Sequence, residues 1–83
     1  MIERIMFTAD WCSRCKEFKV AAESLGYTMM DVDKQPAGDI AKFYHVTGLP
    51  TFLIKTEVRV LGMLSQPDTE DELRKFTEEH QMH

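Results

Sequence analysis

The chain has 83 residues, a net charge of −4 and a hydrophobic content of 43%, which suits one small α/β domain over residues 1–83 with a limited core. The charge argues against nucleic acid as a partner, because phosphate binding needs clustered Lys and Arg. No apolar run approaches the roughly 18 residues of a membrane helix, and Met1 to Arg4 lacks the start of a signal peptide, so a soluble cytoplasmic monomer is expected.

Ile2 to Phe7 is short and apolar, the pattern of a buried strand. Thr8-Ala9-Asp10 follows as a loop into a helix. Phe18, Ala21, Ala22 and Leu25 recur at helical spacing, and Gly26 is the stop signal. Tyr27 to Val32 reads as a second strand, which makes a β-α-β unit with parallel strands. Pro36 suits the first turn of a second helix, with Ala37, Ile40, Ala41 and Tyr44 on its inner face. His45 ends that helix as a surface or capping residue. Thr51 to Ile54 and Val58 to Leu61 form an expected hairpin. Pro67-Asp68-Thr69 opens a last helix, where Thr69 and Glu72 fit a capping box and Leu73, Phe76 and His80 continue one stripe. The acidic run from Asp68 to Glu72 reads as a solvated helix face. The expected order is β-α-β-α-β-β-α, a four-stranded mixed sheet flanked by three helices.

Both cysteines fall in Trp11-Cys12-Ser13-Arg14-Cys15-Lys16. A Cys-x-x-Cys pair can close a small disulfide ring and open it again, and near a βαβ pattern it marks a redox motif. The expected elements put Cys12 at the mouth of the first helix, where free N–H groups and the helix dipole favour a thiolate. Arg14 and Lys16 add positive charge, so Arg14 is expected to stabilise the reduced form and make the couple more oxidising. Cys15 lies one turn further on the same side. Three other readings stand beside this one. Cys12, Cys15, His80 and His83 have spacings that zinc accepts, although a long stretch of chain separates the pairs. The pair could also be a structural disulfide, or two unrelated buried thiols. Met29 and Met30 read as core filler.

Together with this motif, Gly48-Leu49-Pro50-Thr51-Phe52, Met30-Asp31-Val32-Asp33 followed by Pro36, and Val60-Leu61-Gly62 resemble the thioredoxin family in order and approximate spacing. The resemblance implies a thiol–disulfide oxidoreductase that reduces protein disulfides with no cofactor beyond its own cysteines. Cys12 would attack and Cys15 resolve. Pro50 would be cis and face the disulfide, Leu49 would offer backbone hydrogen bonds to a bound peptide strand, and Trp11, Leu49 and Gly62 would form the docking surface. Plain readings of Trp11 and Gly62 are core packing and a backbone bend.

The departures from the family pattern are specific. The usual first β-α unit is missing, Thr8 stands where a Trp is usual, and Ser13-Arg14 replaces Gly-Pro. Met6 and Met29 stand where the family carries an Asp and a Lys that move the proton of the resolving thiol. Water or a carboxylate such as Glu17 would have to serve instead. The size also resembles glutaredoxins and the small redoxins that donate electrons to ribonucleotide reductase, but most glutathione contacts of the former are missing. Thioredoxin reductase or glutathione would recharge the pair. No Gly-rich nucleotide motif is present, so NADPH would not do so directly. The remaining alternative is a redox-inactive binding module on the same fold.

Overall fold

The computed structural model describes residues 1–80. Its elements run β1 (Glu3–Thr8), α1 (Ser13–Ser24), β2 (Thr28–Asp31), α2 (Ala37–Phe43), β3 (Thr51–Lys55), β4 (Val60–Ser65) and α3 (Glu70–Glu79). The four strands form one mixed sheet in the order β2-β1-β3-β4. β1 pairs parallel with β2, with Met6 opposite Met29 and Thr8 opposite Asp31. β1 pairs antiparallel with β3, with Phe7 opposite Thr51 and Glu3 opposite Lys55.

Strand alternation divides the core into two layers. Met6, Phe52 and Ile54 face α1 and α3, where they meet Cys15, Phe18, Ala22, Leu73 and Phe76. Ile5, Phe7 and Leu53 face the other way, against Ala41 of α2. Each inner strand is apolar on both faces because helices cover both sides of the sheet.

Gly26 sits at φ +87, just beyond the C-terminus of α1. The Tyr27 N–H returns to the Ala22 carbonyl and the Gly26 N–H to the Glu23 carbonyl, a Schellman closure that needs a left-handed residue. This cap occupies the Tyr27 amide, so β2 starts one residue later than the sequence suggests. α2 ends in the same way, with Val46 bonded to Ala41 and His45 to Lys42. His45 fills the left-handed position at φ 58. Thr69 caps α3 by accepting from the Glu72 N–H.

The last strand is displaced from its expected position. Val58 and Arg59 belong to the hairpin turn, where their N–H groups donate to Thr56 Oγ1 and the Thr56 N–H donates to the Arg59 carbonyl. β4 therefore begins at Val60 and runs through Gly62 to Ser65, with a register irregularity beside Ile54 and Lys55. The hydroxyl of Thr56 closes a turn that lacks the usual Asn-Gly signature.

This topology gathers the site at one end of the sheet. β1 and β2 run in parallel and finish there, β3 starts there opposite the end of β1, and β4 returns there with Ser65 beside Thr51.

Candidate active site

Cys12 is the N-cap of α1. Its backbone is extended while the next residues are helical, so its side chain turns back over the first turn. There the Cys15 N–H donates to Cys12 Sγ at 3.1 Å. Cys12 and Cys15 are joined as a disulfide with their Cα atoms 5.3 Å apart. Both are buried, Cys12 at 6% exposed and Cys15 at 2%. Cys12, the less buried of the two, has its sulfur held by a helix N-terminal amide, a position that favours a thiolate once the pair is reduced. Cys15 abuts the core.

Trp11 is 70% exposed, so it is not a core residue. Its indole N–H donates to Asp33 Oδ2 at 2.8 Å, which ties the loop before α1 to the turn after β2. Asp33 was not among the expected site residues, although it sits in the quoted Met30 to Asp33 segment. The Leu49–Pro50 bond is cis, and the Gly48 carbonyl accepts from Thr51 Oγ1 at 2.6 Å. Trp11 and Leu49 share a groove of about 300 Å³ that continues over Val32, Gln35 and Lys42. Leu49 also packs against the core cluster that contains both cysteines.

Gly62 requires a correction. It pairs with Ile54, three residues short of Ser65, or roughly 10 Å along the strand from the disulfide end. A Cβ there would lie 2.6 Å from His80 Nε2, so the residue makes room for α3 rather than flanking the thiols. The neighbour of the cis-proline is Gln66, whose N–H donates to the Pro50 carbonyl at 2.8 Å. Gln66 has φ 49, and its side chain fills the space a Cβ at Gly48 would need. The sequence concealed this, because a residue before proline is ordinarily extended.

Arg14 is also engaged differently from the expectation. Its guanidinium donates to the carbonyls of Pro67 and Asp68, approaches Glu17 at 3.7 Å and lies over the Phe18 ring. It bridges α1 to the loop before α3. That placement gives it a structural use beside the expected effect on the thiolate. Lys16 instead lines a cleft on the Cys15 side, with Lys19, Asp10 and Asp31.

Met6 is fully buried, with Met29 beside it across the strand pair. Glu17, expected as a substitute proton acceptor, is turned to Arg14 and does not line that cleft. His80 Nδ1 is 2.7 Å from the Phe76 carbonyl, and His83 lies outside the described residues. Among the described residues no group of three or more His, Cys, Asp or Glu could hold a metal ion.

Comparison with known proteins agrees with this geometry. The thioredoxin family model matches residues 4–79. Thioredoxin H2 of Arabidopsis thaliana is 31% identical over 80 residues, covering 83% of this chain and 55% of its own length. A protein disulfide-isomerase of Schizosaccharomyces pombe is 35% identical over 57 residues, covering 59% of this chain and 16% of its own length. The thioredoxin of Fasciola hepatica superposes with a TM-score of 0.84 at 25% identity, over 96% of this chain and 81% of that one. The chain spans between 16% and 55% of the length of the curated relatives it matches.

The Cys-x-x-Cys disulfide at an extended-to-helical turn and the cis-proline that leads into β3 lie at the same end of the sheet, the arrangement of a thioredoxin-type domain. The chain belongs to the thioredoxin family.

Proposed function

We propose that the protein reduces disulfides in other proteins. The observation that carries the reading is the asymmetry of the pair. Cys12 caps the helix and its sulfur is held by an N-terminal amide, while Cys15 is the more deeply buried residue. A substrate disulfide is attacked by the Cys12 thiolate, and the mixed disulfide is then resolved by Cys15. A peptide segment of the substrate lies along Leu49 and Pro50 with Trp11 at its side, where Trp11, Val32 and Leu49 give the groove an apolar lining. The oxidised thiols of ribonucleotide reductase belong to the substrate class so proposed. Thioredoxin reductase or glutathione restores the dithiol, and a reducing compartment such as the cytoplasm suits that cycle.

The test is insulin reduction followed by turbidity with dithiothreitol present. Wild type accelerates precipitation, and Cys12→Ser abolishes the acceleration. With dithiothreitol left out, reduced Cys15→Ser accumulates a mixed disulfide visible by mass. No acceleration by wild type would remove this reading and leave a binding module on the same fold. Offering the oxidised protein thioredoxin reductase with NADPH, then glutathione with its reductase, identifies the electron donor.

A further inference from the structure

Resolution of the mixed disulfide requires Cys15 to lose a proton, yet Cys15 is 2% exposed and Met6 and Met29 beside it carry no acid or base. Among the described residues a cleft of about 270 Å³ reaches Cys15, lined also by Thr8, Asp10, Lys16, Lys19, Met29 and Asp31. It has room for several waters, each taking about 30 Å³.

Two carboxylates line this cleft. Asp10 is exposed in the turn before α1. Asp31 sits on β2 two residues beyond Met29, and alternate residues of a strand share a face. Met29 packs against the core cluster that contains Cys15, so Asp31 projects on the Cys15 side. Its side chain is 20% exposed, and Oδ1 accepts from the Asp33 N–H at 2.9 Å. The charged groups around it are Lys34, at 4.0 Å from Oδ2, Lys16 and Lys19 from α1, and Asp10. Thr8 lies opposite it on β1.

We propose that Asp31 accepts the proton of Cys15 through water in this cleft during the resolving step, a position for the acid one strand over from the Met6 site. The reading rests on the oxidoreductase activity proposed above. The Cys15 Sγ–H bond breaks and its proton passes to the Asp31 carboxylate. The Cys15 thiolate attacks Cys12 Sγ, the bond from Cys12 to the substrate sulfur breaks, and that sulfur leaves with the electron pair. Two electrons have then moved from the dithiol to the substrate disulfide, and Asp31 returns its proton to solvent or to the departing thiolate.

The two steps separate with dithiobis-nitrobenzoate as substrate. Cys12 releases the first nitrothiobenzoate at a rate set by reagent concentration, and Cys15 releases the second at a rate independent of it. In Asp31→Asn the second phase slows about tenfold or more at neutral pH and becomes steeply dependent on pH, while the first changes by less than about twofold. Asp31→Glu, which keeps an acid, restores the second phase, and Asp10→Asn leaves it intact. An unchanged second phase and pH profile in Asp31→Asn overturns the proposal. So does equal slowing in the Asn and Glu variants, which marks a structural role, or slowing by Asp10→Asn alone. A wild type with no first phase would instead remove the oxidoreductase reading itself.

Discussion

Tyr27 shows how one polar atom is accommodated in the core. Its hydroxyl lies 2.8 Å from Thr77 Oγ1, and that hydroxyl donates onward to the Leu73 carbonyl at 2.8 Å, so the phenol is the donor to Thr77. Burial pushes the phenol above its ordinary 10.0, against the opposing effect of the Arg4 charge. The unfolded chain therefore gives up this proton first. The contribution to stability is complete below pH about 10 and is lost as pH rises through the folded-state value. Tyr27→Phe is expected to cost about 1 kcal/mol at neutral pH and to flatten the alkaline loss of stability, measured by urea unfolding at a series of pH values. At this scale the sequence was legible where chemistry is local. The spacing of Cys12 and Cys15 placed them at a helix mouth. Gln66 and Asp33 were not legible, because their roles depend on which strand ends meet.

At the scale of elements, the end of α2 rests on a compromise. His45 adopts φ 58 to complete a cap that α1 completes with glycine. A side chain in that conformation costs on the order of 1 kcal/mol, partly offset by the greater freedom glycine has when unfolded. His45→Gly is expected to raise stability by about 0.5 kcal/mol, read as a shift of the denaturation midpoint with an unchanged slope. Helices were the most legible elements, since their apolar spacing and stop signals act within one turn. The last strand was the least. Val58 looks like strand sequence, but the Thr56 hydroxyl captures its amide and that of Arg59, and the pairing moves on to Val60. A side chain competing for backbone donors decided a boundary that apolar patterning could not.

The whole molecule depends on a narrow core on each side of the sheet. Phe52 is fully buried and meets Phe18 and Tyr27 edge to face, with centroids 6.0 and 5.3 Å away. It joins α1, the residue before β2 and the sheet in one contact set. Phe52→Ala is expected to cost about 3–5 kcal/mol, against the roughly 5–10 kcal/mol that a small domain holds in all. Guanidinium unfolding should show most of the stability lost. The β-α-β-α-β-β-α order was legible because each element carries its own period. The assignment of α1 and α3 to one face and α2 to the other is a property of the folded sheet, as is the cleft beneath Cys15.

The hairpin turn at Thr56 to Arg59 has a practical consequence. β3 begins beside the cis-proline and carries the chain about 17 Å away before that turn reverses it. The turn is exposed at Glu57, Val58 and Arg59 and lies at the end of the sheet remote from the disulfide. It is the natural position for a fluorophore, an affinity tag or a tether to a surface, because cargo carried there would leave the path to Cys12 clear.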